Sequence, residues 1–159
     1  MARILVVGCG CRGQALAREL VRAGHAVRGT SRDPARLAEI EAAGAEPVVA
    51  DPDRLGTVTV QLAGVTVICW LMGNAVGDAA AALHGPRLQT LLERLVDTHV
   101  RGMVYEAAGS VDPALLSAGA AAVHDAAATW RMPTEVVEAD PRDRDAWLAA
   151  TTTAVDRLL

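Results

Sequence analysis

Three glycines near the start of the chain carry its clearest chemistry. They form the run Gly8-x-Gly10-x-x-Gly13, entered directly from the apolar stretch Ile4-Leu-Val-Val7. Ala15, Leu16, Leu20 and Val21 then recur at helical spacing. A strand, a glycine turn and a helix in that order are what a dinucleotide fingerprint requires. Gly8 permits the tight turn, Gly10 lets the backbone approach a pyrophosphate, and Gly13 lets the helix pack closely on the strand. The free N–H groups and positive dipole end at the start of that helix, around Cys11 and Arg12, favour phosphate. The alternative is a fold that keeps the turn and has lost the ligand.

A second signal lies at the end of the next strand, which reads Gly29-Thr30-Ser31-Arg32. NAD-specific sites place a carboxylate here to accept hydrogen bonds from the ribose hydroxyls. Asp33 is close, but Asp33-Pro34 reads as a helix start, with Asp as N-cap and Pro at the first helical position. A hydroxyl followed by a guanidinium, Ser31 and Arg32, suits a 2′-phosphate, which Arg binds bidentately. Arg12 and Arg36 could add positive charge, although Arg36 also fits a solvated helix face. These residues favour NADP(H) over NAD(H).

The thiols and imidazoles carry less. Cys9 and Cys11 lie in the turn and Cys69 ends a later strand, so the three could be close in space. A metal site would want a fourth ligand, and thiols in a glycine turn compete with phosphate, so no metal is expected. Small residues that fit tight packing are the plainer reading. His25, His84, His99 and His124 are scattered without ligand-pair spacing, and His84-Gly85-Pro86 reads as a loop before a helix. Trp70 and Met72 fit a ligand pocket, a subunit contact or the core. Trp130 and Trp147 read as helix anchors.

The elements that must position these residues alternate along the chain. Strands are expected at about 3–7, 25–30, 46–50, 65–71, 101–105 and 134–138. Helices are expected at about 13–23, 33–43, 51–62, 86–98, 112–130 and 142–158, with a Gly- and Ala-rich connection at 72–85 that could be part helical. Alternation of this kind predicts an α/β fold: a Rossmann-type, doubly wound parallel sheet of about six strands in three layers. The expected strand order is 3-2-1-4-5-6, with ligand at the carboxyl ends of strands one and four. The whole chain, 1–159, reads as one such domain without a separate substrate domain.

Composition sets the outer bounds. The 159 residues include 52% hydrophobic and 21% charged side chains, which describes a globular chain. The formal net charge of −4 gives no general attraction to nucleic acid or to acidic membranes. No apolar run approaches the ~20 residues of a membrane helix. Three cysteines form no disulfide framework, and a reducing cytoplasm is the natural expectation. All 15 basic residues are Arg, and neither Lys nor Phe occurs.

The stretch from Ile4 to Asp51 resembles the N-terminal half of atypical or extended short-chain dehydrogenase/reductases, the NAD(P)-dependent epimerase/dehydratase-like superfamily. Gly8-Cys-Gly-Cys-Arg-Gly13, Gly24-His-x-Val-x-Gly-Thr-Ser-Arg32 and Gly44-Ala-Glu-Pro-Val-Val-Ala-Asp51 carry the resemblance. It implies that Asp51 lies near the adenine and that Leu71-Met72-Gly73-Asn74 lies beside the nicotinamide ribose. It also implies that Tyr105–Ser110 is the loop that holds the family's catalytic Ser or Thr. Catalysis in that family usually needs a Tyr and a Lys four residues apart, the Lys lowering the Tyr pKa. This chain has no Lys, its one Tyr is Tyr105, and position 109 is Gly, so the dyad is absent.

Tyr105, Glu106 and Ser110 are the remaining candidates for catalysis. All three are expected at the carboxyl edge of the fifth strand, facing the cofactor, where phenol, carboxylate and hydroxyl could move protons. The alternative is a half-buried strand residue, a solvated acid and a helix cap. Asn74 could bond a ligand or only its own loop. Two functions stay open: a reductase or epimerase-like enzyme for a small carbonyl or sugar-like substrate, and a non-catalytic dinucleotide-binding redox sensor or regulatory subunit. The turn also resembles the nucleotide-binding regulatory domains of potassium transport systems, against which Ser31-Arg32 argues. The helices at about 86–98 and 114–130, the second rich in Ala, match those that pair subunits in many relatives, so a homodimer is expected.

Overall fold

The computed structural model describes residues 1–159. Six strands make one sheet: β1 (Arg3–Val7), β2 (Ala26–Ser31), β3 (Glu46–Val49), β4 (Val67–Trp70), β5 (Gly102–Glu106) and β6 (Thr134–Val137). Their order is β3-β2-β1-β4-β5-β6 and every pair is parallel. Parallel neighbours need crossovers, which the helices supply. These are α1 (Cys11–Arg22), α2 (Leu37–Ala42), α3 (Leu55–Thr59), α4 (Ala79–Leu83), α5 (Pro86–Leu95), α6 (Pro113–Trp130) and α7 (Arg144–Leu158).

Alternation along the central strands builds two cores. Leu5, Val7, Ile68, Trp70, Met103 and Tyr105 face one side, where Leu55, Leu88, Leu92 and Val123 of the helices meet them. Ile4, Val6, Val67, Cys69 and Val104 face the other, against Leu16, Leu20, Ile40 and Trp147. Because both faces are covered, β1 and β4 read as near-continuous apolar runs. The strand order reverses between β1 and β4, and the carboxyl ends there form the crevice in which such sheets bind ligands.

Several helices differ from the expected bounds. The first starts at Cys11 rather than about 13, with Gly10 in the N-cap position. The expected 33–43 helix is split into a single 3₁₀ turn, Pro34–Arg36, followed by α2. The Asp33 carboxylate does cap this start, accepting the Ala35 N–H at 2.9 Å. The stretch expected as helix over 51–62 shortens to Leu55–Thr59, because Asp51 accepts the Asp53 N–H and closes a local turn instead. The connection at 72–85 contains the one-turn α4.

Candidate functional site

The glycine turn is fixed from two sides. Gly8 adopts φ +86°, and a Cβ there would lie 2.4 Å from Met72 Cε and 2.6 Å from the Leu71 carbonyl oxygen. Only glycine meets both demands. From the other side, the Thr30 hydroxyl accepts the Gly8 N–H at 3.3 Å and the Thr30 carbonyl accepts the Cys9 N–H at 3.0 Å. Sequence reasoning passed over Thr30, because nothing local shows that a β2 side chain holds the β1 turn. A Cβ on Gly13 would meet the Gly8 carbonyl at 3.0 Å, so Gly13 brings α1 close under the turn. A Cβ on Gly10 would meet nothing within 4 Å, so this residue leaves its side of the turn open.

That open space is a groove of about 280 Å³ along the carboxyl ends of β1, β2 and β4. Gly8, Gly10, Arg12, Ser31, Arg32, Asp51, Leu71 and Met72 all line it, with Arg36 at the β2 end. Two expected residues do not line it: Cys11 is exposed on the first turn of α1, and Gly13 is buried beneath the turn. At the β2 end the Ser31 hydroxyl accepts the Asp33 N–H at 3.1 Å. With the Asp33 carboxylate on the Ala35 N–H, the groove wall at this point presents Arg32 and Arg36. A bare glycine edge at a helix start and two guanidinium groups fit an anionic dinucleotide.

The set expected at the end of β5 is not assembled around the groove. Tyr105 is fully buried on the α5–α6 side, and its hydroxyl lies 2.5 Å from His84 Nδ1. His84 Nε2 lies 2.8 Å from the Met72 carbonyl, which can only accept, so Nε2 carries the proton and Nδ1 accepts from Tyr105. Burial pushes the Tyr105 phenol well above its ordinary range, reinforced by the negative charge of Glu106. Burial also lowers the His84 pKa against the Met72 hydrogen bond and the Glu106 charge, which both raise it. His84 does lie in the turn between α4 and α5, as expected, but its ring is buried, and sequence offers no local sign of its partner.

Glu106 departs from both expectations, being neither groove-facing nor solvated. It is 0% exposed, and its oxygens accept from Arg12 Nη2 at 2.8 Å, Arg12 Nε at 3.2 Å, the Gly73 N–H at 2.8 Å and Trp147 Nε1 at 2.8 Å. The Arg12 guanidinium also sits 5.6 Å from the centre of the Trp147 ring. Trp70 belongs to the core, where its indole N–H donates to the Leu83 carbonyl at 3.1 Å.

Ser110 is the exposed member of the trio. Its N–H donates to Asn74 Oδ1 at 2.7 Å, and the Val111 N–H donates to the Gly73 carbonyl at 3.0 Å, so the loops after β4 and β5 are tied together. A Cβ on Gly73 would fall 1.9 Å from the Ala108 carbonyl oxygen, which shows how closely these loops approach. Beyond them lies a second groove of about 1070 Å³, lined by Asn74, Ser110, Ser117, His124, Glu138 and Arg142 among others. Asn74 borders both grooves. Cys9 and Cys69 are buried on the α1–α7 side, where desolvation pushes both thiols up to about 12, and Cys11 is exposed.

A family model described as NAD(P)H-binding matches residues 8–134. No curated protein sequence matches the chain. Among solved structures, a candidate NAD-dependent epimerase/dehydratase from Bacillus halodurans superposes with a TM-score of 0.70 at 20% identity, over 87% of this chain and 70% of that one. The UDP-N-acetylglucosamine 4-epimerase of Bacillus cereus gives 0.67 at 15% identity, over 87% and 53%. The triphenylmethane reductase of Citrobacter sp., solved with NADP(H), gives 0.65 at 19% identity, over 85% and 48%. At these identities the likeness is one of fold, and the chain spans about half the length of the last two.

Proposed function

The chain belongs to the NAD(P)H-binding family, and from that premise we propose that it is an NADP(H)-dependent oxidoreductase of the reductase or epimerase/dehydratase class, acting on a small carbonyl or sugar-like compound. The observation that carries this reading is the pair of grooves meeting at Asn74 on one edge of the sheet. One has the glycine turn and the arginines, and the other has room for a substrate. When bound, the nicotinamide cofactor supplies hydride transfer. The backbone at Gly10 and the start of α1 would hold the pyrophosphate. Ser31 and Arg32, with Arg36 beside them, would hold the 2′-phosphate. Asp51, Leu71 and Met72 would line the remaining wall. The exposed Ser110 hydroxyl would orient a substrate oxygen in the second groove. Tyr105 and Glu106 have no part in proton transfer, since both are enclosed by protein partners.

That enclosure favours a second reading, a dinucleotide-binding redox sensor without turnover. A thermal-shift titration with NADPH, NADH, NADP⁺ and NAD⁺ tests the shared premise. A ligand at 100 times its Kd should stabilise the fold by about 2.7 kcal/mol. NADPH should stabilise the wild type more than NADH, and Arg32→Ala should remove the difference. Loss of NADPH absorbance with a panel of small carbonyls then separates the readings. Turnover that Ser110→Ala reduces supports the enzyme; binding without turnover across the panel supports the sensor.

A further inference from the structure

We propose that Glu106 is a positioning residue for the cofactor: it holds Arg12 so that the free Nη1 of the guanidinium is presented to the pyrophosphate. The proposal rests on the reading that the groove takes NADP(H). Glu106 ends β5, away from the groove lining, yet its carboxylate is among the most heavily bonded side chains of the fold. Its two oxygens take four donors, about the full acceptor capacity of a carboxylate. A group so saturated and fully buried is fitted to geometry rather than to proton exchange with a substrate.

What it joins is the basis of the inference. The four donors come from α1 (Arg12), from the loop after β4 (Gly73) and from α7 (Trp147). The first two segments bound the cofactor groove. Arg12 gives Glu106 its Nε–H and one Nη2–H, while the Trp147 ring lies 5.6 Å from its guanidinium carbon. Nη1 makes no hydrogen bond within the protein, the side chain is 24% exposed, and Arg12 lines the groove. A free arginine would lose much rotamer freedom on meeting a phosphate. One already gripped on its other edge loses less and donates from a fixed direction.

The test uses the full chain and two probes, NADPH and adenosine 2′-monophosphate. The second carries the adenine and 2′-phosphate but no pyrophosphate. Dissociation constants are measured by calorimetry for wild type, Glu106→Gln, Arg12→Lys and, as a control, Glu46→Gln. That control loosens the Arg28–Glu46 pair, which spans 3.0 Å and takes no part in the groove. Circular dichroism establishes that each variant is folded at the temperature used. Glu106→Gln turns an amide N–H₂ toward groups that are themselves donors. Arg12→Lys keeps the charge and loses the fork, so it tests the proposal even where Glu106→Gln fails to fold. The expected result is a weakening of NADPH by about tenfold or more in both variants. Adenosine 2′-monophosphate should bind all four proteins alike, and Glu46→Gln should bind both probes like the wild type. Unchanged NADPH affinity in a folded Glu106→Gln, or in Arg12→Lys where Glu106→Gln does not fold, would show a purely structural pair and overturn the proposal. Tighter NADPH binding by Glu106→Gln would also overturn it, since Glu106 would then be withholding Arg12. A wild type that binds no NADPH overturns the parent reading, a result distinct from either of these.

Discussion

His84 carries a charge balance that can be measured. Its ring is neutral between a carbonyl acceptor and a phenol donor, and burial holds its pKa below the ordinary value. An unfolded histidine titrates near about 6.5. Between that value and the lower native one, the unfolded chain binds more protons than the folded chain, so stability falls as pH falls. Above it the contribution is complete and flat. One such group changes stability by at most about 1.4 kcal/mol per pH unit. Urea denaturation at pH 6.5 and 5.5 should show the wild type losing more stability than His84→Gln over that interval. Equal losses would mean that the imidazole is protonated at no cost in the fold. The sequence placed Tyr105 and Glu106 correctly at the end of a strand and failed on their surroundings. Strand alternation shows that neighbours face opposite sides. It does not show that His84 meets one of them or that Arg12, Gly73 and Trp147 meet the other.

At the scale of elements, the readable signals were those that repeat locally. Strand runs, the glycine turn and Pro at the start of α5 and α6 are of this kind. The shortened helices were not readable, because Asp33 and Asp51 can either begin a helix or close a turn, and the neighbouring packing decides. Gly119 in α6 gives the sharpest case. An alanine there should help the helix by about 1 kcal/mol on propensity. Its Cβ would instead fall 1.9 Å from the Tyr105 hydroxyl and 2.6 Å from Tyr105 Cζ. Gly119→Ala should therefore destabilise by about 1–3 kcal/mol in urea denaturation, as overpacked cores do. Gly56 in α3 has nothing within 4 Å of the same added atom, so Gly56→Ala should stabilise by roughly 0.5–1 kcal/mol. A stabilising Gly119→Ala would show that α6 can shift against β5 to make room for the added methyl.

For the whole molecule, the sheet order was legible because strands alternate with helices and right-handed crossovers leave few arrangements. The site was legible only in its first half, where one continuous stretch, Ile4 to Arg32, makes the turn and the arginine end. The second half is assembled from residues far apart in the chain, and no spacing rule links Asn74 to Ser110. No helix is long and apolar enough to cross a membrane. We propose that two copies pair through α5 and α6; light scattering over a range of concentrations should then give a mass twice that of the chain, and a constant monomer mass would exclude it. The ring of bonds from Arg12 through Glu106 to Trp147 also orders events at the ribosome. Arg12 is made before its partners: the carboxylate follows 94 residues later, and the indole that completes the ring comes 41 residues after that. Until synthesis has passed Trp147, Glu106 has no cover from α7. The guanidinium beside the glycine turn thus gains its full set of partners only once residues as far as Trp147 have been translated.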